Sequence, residues 1–263
     1  RVFILGMQVH AGMQRGDLGA AVATAREGQR CAMATEIVTV RADLASMALD
    51  LTIELGDRAW ADALLALLPA DVQAIPDNLR LKLAFNRARL ALARGELDAA
   101  GRVLEEAGPI DAMAQPYDRG YAALAHAQRA LATGELAQAL ALLDRWQPET
   151  THVDARARMQ ALRVQAWACR LADAPAADPA SVAAADESFV QGLALRDDER
   201  TPAPAALALG AALAALAAAR GDAAGAARLG DQLAARVASL AAGLADASHR
   251  RGLRARWRTG LQR

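Results

Sequence analysis

The sequence of 263 residues predicts an all-α protein: a right-handed α-solenoid of about six helix-turn-helix repeats with a C-terminal capping helix. The first observation is a glycine followed by an acidic residue at Gly16, Gly56, Gly95 and Gly134, at intervals of 40, 39 and 39 residues. A fixed interval of this length is typical of stacked helical hairpins. The second is that Ala- and Leu-rich stretches flank each turn, and the third is that the best strand-like run, residues 36–40, is too short to found a sheet.

The third and fourth repeats show the pattern most clearly. Ala88 and Ala127 precede the turn glycine by seven residues, and Leu104 and Leu143 follow it by nine. The glycine is expected to end the first helix in a left-handed conformation, and the acidic residue to lie at the positive start of the second helix. The alanines are expected where the two helices cross closely, and the leucines in the buried stripe of the second helix.

The same interval, extended along the chain, gives one domain over residues 1–263. The fifth repeat has Asp173 at the turn position, and the sixth has Gly221. The chain opens without a methionine, so we expect it to be a fragment of a longer protein. The predicted repeats cover residues 1–34, 35–75, 78–110, 117–150, 155–197 and 203–243, and the capping helix covers 248–262.

This skeleton resembles the tetratricopeptide repeat, which has a small residue at its eighth position, a glycine before the second helix and an alanine early in that helix. Ala100 and Ala139 match the last feature. The period exceeds the standard of about 34 residues, and most aromatic consensus positions are missing. Repeats of this length with the turn Ala93-Arg-Gly-Glu-Leu97 resemble the arrays of large bacterial transcriptional regulators, of the maltose-activator type or with a bacterial transcriptional activator domain.

Composition excludes several classes of partner. The formal net charge is zero and the pI is about 7.1, which disfavours direct binding to nucleic acid or to an anionic membrane. The most apolar run, residues 204–219, is shorter than the ~20 residues needed to span a bilayer, so no membrane partner is expected. Cys31 and Cys169 cannot build a disulfide framework, which favours a reducing, cytoplasmic location.

The sequence shows no constellation that predicts catalysis. The histidines are His10, His126, His152 and His249, without a His-Glu-x-x-His pattern, a Cys-x-x-Cys pair or a Walker loop. We therefore predict that the chain is not an enzyme and has no metal site and no cofactor.

The first helices of the repeats are expected to line a concave groove. Lys82, Asn86 and Arg89 share one stripe because they are four and three residues apart. A protein or peptide partner, or a small anionic effector, would bind there through basic side chains and through flat aromatic contacts. The alternative is that these are solvated residues with aromatics packed between repeats. The candidate residues of this groove are Lys82, Asn86, Arg89, Tyr121, Gln128, Arg163, Trp167 and Arg170, and His10, Asp43, Met47, Asp50 and Gln160 are also expected to face it.

The arginine-rich C-terminal segment predicts the cap. Leu253, Trp257 and Leu261 lie four residues apart and form one apolar stripe that would seal the last repeat. The alternative is that the arginines contact nucleic acid or an acidic partner.

The resemblance implies a regulatory interaction module of a bacterial transcriptional regulator, which senses a ligand or protein and acts on an effector domain outside this sequence. One alternative is a scaffold with tetratricopeptide-like repeats that serves secretion or cell-envelope machinery. Another is a regulatory domain attached to a signalling enzyme.

Overall fold

The computed structural model describes residues 2–69, 74–174 and 178–259, and in these ranges every regular element is a helix. The all-α prediction is therefore confirmed. The elements are α1 (Val2–Arg15), α2 (Leu18–Met33), α3 (Val38–Leu55), α4 (Arg58–Leu65), α5 (Asp77–Arg94), α6 (Leu97–Ala107), a 3₁₀ turn (Ile110–Ala112), α7 (Pro116–Ala132), α8 (Leu136–Trp146), α9 (Val153–Asp173), α10 (Pro179–Asp197), α11 (Ala203–Ala219), α12 (Ala223–Ala242) and α13 (Ala247–Thr259).

The turn glycines have the backbone conformation expected of them. A positive φ is strained for residues with a Cβ and costs glycine little, so glycine ends these helices. The acidic residue that follows caps the next helix at three turns, where Asp17 accepts from the Ala20 amide, Asp57 from the Trp60 amide and Asp222 from the Gly225 amide. The φ angles at the turns are 78° at Gly16, 64° at Gly56, 79° at Gly95, 80° at Gly134 and 79° at Gly221.

Small residues allow the helices of each pair to approach closely. Ala88 and Ala127, which precede two of these turns, are both fully buried. Leu104 on α6 and Leu143 on α8 are also buried, as predicted for the stripe of the second helix. A methyl group at the crossing and a leucine beside it fill the interface without bulky rings.

The chain divides into two compact units. Unit 1 lies within Arg1–Gly108 and Ser239–Arg256, and unit 2 within Pro109–Ala238 and Trp257–Arg263. In unit 1, α1 packs on α2 and α3, α3 on α4 and α5, and α5 on α6. In unit 2, α7 packs on α8 and α9, and α9 packs on α10 and α11.

The core of unit 2 consists mainly of alanine and leucine. Val164 of α9, Leu209 and Leu213 of α11, and Leu229 of α12 belong to one buried cluster. Trp167 packs on this cluster from its edge and stays partly exposed. The helices are held by close packing of small side chains, and few large ones enter the interior.

Helix α13 packs on the second helical hairpin, α3–α4. Its Gly252 lies against the Leu55 carbonyl oxygen, where a Cβ would have no room. The sequence predicts that this helix covers the last repeat, whereas His249 and Arg256 contact residues about 200 positions earlier in the chain. Leu253 and Trp257 of its apolar stripe are buried, and Leu261 lies outside the described residues.

Within the described ranges, no helix combines the length and the apolar character that crossing a membrane requires.

Candidate binding surface

The predicted stripe of α5 contacts α3. Asn86 donates a hydrogen bond from Nδ2 to the Ser46 carbonyl oxygen, at 2.6 Å. Asp43 of α3 is buried, and burial raises the pKa of its carboxyl while the Lys82 ammonium acts in the opposite direction. Lys82 and Asn86 are only partly exposed, so both have roles in joining the two helices.

Arg89 continues this contact as a buried ion pair. Its guanidinium is paired with Asp50, and its second amino group lies 3.8 Å from Glu54. Arg256 of α13 donates from Nε to the other oxygen of Glu54, at 3.1 Å. Arg89 is only 4% exposed, so the expectation of an accessible guanidinium in a groove is corrected here. A ligand carboxylate would have to displace Asp50, which breaks the existing pair and requires the ligand carboxylate itself to be desolvated.

A second set of contacts holds α13 to the α3–α4 turn. His249 is hydrogen-bonded through Nε2 to the Asp57 carboxylate at 2.9 Å and stacks on the Trp60 ring, with 5.8 Å between centroids. Arg26 of α2 lies 3.9 Å over the same ring and 3.8 Å from Asp57. Within unit 1, aromatic stacking and polar contacts therefore hold the C-terminal helix to the α3–α4 turn.

In unit 2, Tyr121 belongs to an aromatic cluster at the start of α7 and α9. The Tyr117 and Tyr121 rings are 4.7 Å apart, and the His152 ring meets Tyr117 edge-on at 5.4 Å. The Tyr121 hydroxyl donates to Asp154 at 3.3 Å, and Arg158 donates to both oxygens of that carboxylate. Asp154 and Arg158 are buried, whereas Tyr117 is 38% exposed. Buried polar groups thus hold a partly exposed aromatic surface in place.

Further along α9, basic side chains accompany a tryptophan on one helix face. Arg156, Arg163, Trp167 and Arg170 follow one another at spacings of seven, four and three residues, which places them on one stripe. Arg156 and Arg170 are exposed, and Arg163 is paired with Asp144 at 2.7 Å. The Arg170 guanidinium lies 5.4 Å from the Trp167 ring centroid, in cation–π contact.

Two further residues of unit 2 that the sequence predicts to face the groove have different environments. Gln160 is fully buried, donates to the Ser188 carbonyl oxygen and accepts from Gln147. It therefore serves packing between helices. Gln128 of α7 is half-exposed.

Two residues of the first two hairpins that the sequence predicts to face the groove make local contacts. His10 is hydrogen-bonded to Gln14 within α1, at 2.9 Å. Met47 of α3 lies against α1, where a Cβ built on Gly6 would be 2.5 Å from the methionine sulfur. Both side chains are partly exposed and are spent on local packing.

A cleft of about 420 Å³ beside α8 contains a candidate acid–base group, His126. Burial and the neighbouring Arg129 lower the pKa of His126, so its imidazole is neutral at pH 7. Asp111, the carboxylate of this cleft, is paired with Arg145. Neither group has a nucleophilic partner in the lining of the cleft.

Burial and Asp173 raise the pKa of the Cys169 thiol, which keeps it in its less nucleophilic, protonated form at neutral pH. No group of three or more metal-binding side chains lies together within the described residues.

Sequence reasoning missed three residues of the unit 2 surface, which are Arg156, Tyr117 and His152. Helical spacing could have found the first two, because Arg156 is seven residues before Arg163 and Tyr117 is four before Tyr121. His152 precedes α9, so no helical spacing points to it. Its place beside the two tyrosines depends on how α7 and α9 pack.

We compared the chain with models of protein families, with curated proteins and with solved structures, and none of them matches it.

Proposed function

We propose that the chain is a partner-binding module built as a right-handed solenoid of six tetratricopeptide-like repeats. The recurring left-handed turn glycines and the contacts between α1 and α3, α3 and α5, α7 and α9, and α9 and α11 support a stacked array. Arrays of this kind act through an extended surface and seldom through a catalytic pocket. The resemblance to arrays of large bacterial regulators supports a regulatory role in transcription in the cytoplasm.

The binding surface that we propose lies in unit 2 and consists of the stripe on α9 and the aromatic cluster beside it. The observation that carries it is the combination of exposed arginines with a partly exposed tryptophan on one helix face. Arg156 and Arg170 are 14 residues apart on α9. They are therefore separated by roughly 21 Å along the helix axis.

A peptide of matching chemistry is acidic and contains an aromatic or apolar residue. An extended segment of about six residues spans the distance between Arg156 and Arg170. Its carboxylates would pair with the two arginines, and its apolar side chain would contact Trp167. Arg163 is already paired with Asp144 and keeps the middle of the stripe closed to a second carboxylate. A small anionic effector would use the same arginines.

To test this, peptides that bind the wild-type chain are selected from a displayed library of random sequences. Their affinities are then measured for the wild type and for variants. The double variant Arg156→Ala/Arg170→Ala changes two exposed side chains and should keep the fold. We expect it to weaken the selected acidic peptides by about tenfold or more, and more at low salt. Trp167→Ala should also weaken binding, with circular dichroism as a check on folding.

The matched control is Val190→Ala, which changes an exposed residue of α10 away from this stripe. It should leave affinity within about twofold, since such surface changes are nearly neutral. Selected peptides that bind the double variant as tightly as the wild type would contradict the proposed surface. A thermal-shift screen of small anions with the same variants tests the effector alternative.

A further inference from the structure

Exposed apolar side chains are concentrated on the first helical hairpin, α1–α2. Among the described residues, Phe3, Ile4 and Met7 of α1 are 62%, 60% and 50% exposed. Met33, the last residue of α2, and Ile37 before α3 are exposed as well. Phe3, Ile4 and Met7 lie within one turn of α1 and form one apolar face, which we call the α1 face. Contiguous exposed apolar surface of this kind marks an interaction site.

In the second hairpin, the residues that correspond to the α1 face contact the hairpin before it. The turn glycines Gly16 and Gly56 are 40 residues apart, so Ile4 corresponds to Leu44 and Met7 to Met47. Leu44 is fully buried and lies against Gly28 of α2, where an added Cβ would be 2.7 Å from Leu44 Cδ1. The contact of Met47 with Gly6 of α1 is of the same kind. Both side chains of α3 therefore fill the space that glycine leaves on the preceding hairpin.

The equivalent positions of the third hairpin, α5–α6, are buried or hydrogen-bonded. With an interval of 39 residues, Leu44 corresponds to Leu83 and Met47 to Asn86. Leu83 is buried, and Asn86 donates to the Ser46 carbonyl oxygen of α3. In the second hairpin both side chains contact the hairpin before it. In the third, Leu83 is buried and Asn86 is bonded to α3. The α1 face has the same register and lies in solvent.

From this register we propose that the α1 face binds a further helical hairpin of the same array, stacked on α1 as hairpin α1–α2 is stacked on α3. The occupant carries small residues at the positions that correspond to Gly6 and Gly28, and an uncharged aliphatic surface around them. This inference rests on the proposed stacked array and adds a second interface, in unit 1.

A second copy of the chain fits this face less well. At the junction between the first two hairpins, Leu44 lies against Gly28 and Met47 against Gly6, so large side chains meet glycines. Two α1 faces brought together would oppose Phe3, Ile4 and Met7 with the same large side chains. Such overpacking is destabilising, so unlike surfaces are required.

The experiment extends the full chain at its start with a second copy of hairpin α1–α2, because this hairpin already packs against α3 in the same register. A copy of residues 2–40 is joined in front of Arg1, which reproduces the interval of 40 residues between the first two turns. The copied hairpin should cover the α1 face, raise the melting temperature by about 5 °C or more and slow hydrogen exchange in α1 by roughly tenfold.

Two variants in the original α1 separate docking from a general effect of the added residues. Ile4→Glu and Met7→Glu change exposed side chains, so in the chain without the extension they should have little effect on melting. In the extended chain they should abolish most of the gain. Val190→Glu, which is equally exposed on α10, is the control and should leave the gain intact.

An extended chain that melts like the original, or a gain that survives both glutamate variants, overturns the proposal. Light scattering of the original chain measures whether it forms a dimer. A dimer that Ile4→Glu dissociates would show that a second copy occupies the face, which also overturns it. Peptide affinity at α9 is measured in unit 2, so a failure there and a failure here are distinguishable.

Discussion

In unit 1 a buried arginine and a hydrogen-bonded asparagine of α5 contact α3, whereas in unit 2 aromatic rings and one buried ion pair lie between the starts of α7 and α9. Arg89 of unit 1 is buried between two carboxylates, but Arg170 of unit 2 is exposed beside a tryptophan. An arginine is therefore used for folding in one unit and is left in solvent in the other.

This difference indicates which arginines are available to bind a ligand. A cation whose charge is already neutralised in the interior offers little to a ligand, because the ligand must pay for breaking the existing pair. Arginines on a solvated stripe form new pairs at little cost. We therefore expect mutations in unit 1 to change mainly stability, and mutations on the α9 stripe to change mainly binding.

The largest expected effect is that of Arg89→Ala. It leaves Asp50 and Glu54 without their shared guanidinium, and breaking a buried pair from one side costs about 3–5 kcal/mol. Urea denaturation followed by circular dichroism measures the free energy of unfolding. Arg170→Ala is the control, and a loss below about 0.5 kcal/mol is expected there. Equal losses for both variants would remove the contrast between the units.

A smaller effect is expected from Gly252→Ala on α13. The new methyl group would meet the Leu55 carbonyl oxygen and push the helix away, at a cost of about 1–3 kcal/mol. Gly230→Ala on α12 is the matched control, because an added Cβ there meets nothing within 4 Å. That change should stabilise by up to about 1 kcal/mol through helix propensity. Stabilisation by both changes would show that α13 does not pack this closely.

In unit 2, Tyr121→Phe removes the hydroxyl that donates to Asp154. Arg158 still satisfies this carboxylate, so we expect a loss of only about 1 kcal/mol in the free energy of unfolding. Tyr117→Phe changes a partly exposed ring and should be neutral to within about 0.5 kcal/mol. If Tyr121→Phe lowers the free energy of unfolding by more than about 3 kcal/mol, the aromatic cluster depends on polar contacts as strongly as unit 1 does.

The smallest expected effect is a pH dependence from His126. Its folded-state pKa is lowered from 6.5 by burial and by Arg129. The unfolded chain therefore binds a proton near pH 6.5 before the folded chain does, and stability is lost as the pH falls below that value. His126→Gln should flatten the pH dependence of unfolding between about pH 7 and pH 5. An unchanged slope would show that His126 is not the responsible group.

Much of the secondary structure could be predicted from local chemistry. The glycines at positions 16, 56, 95 and 134 end helices because a left-handed residue is required there, and the buried alanines before the turns follow from helical spacing. The site was predicted less completely. Helical spacing placed Arg163, Trp167 and Arg170 on one stripe, but it could not show that Arg89 is buried while Arg170 is exposed. That distinction depends on the carboxylates that the neighbouring helix presents.

The position of α13 was also beyond sequence reasoning. Its basic and apolar pattern predicts a cap, yet the contacts of His249 with Asp57 and of Arg256 with Glu54 join residues 192 and 202 positions apart. Helical periodicity specifies which face of a helix is apolar and contains no information on the surface that covers it.

The sequence by itself determined the helical class, the turns and the stripe on α9, because each depends on residues within a few positions of one another. Only the tertiary structure decided which charges are neutralised, where the C-terminal helix binds and which apolar face is left in solvent. Ion pairing and burial depend on distances between residues far apart in the chain, and these distances exist only after the helices have packed.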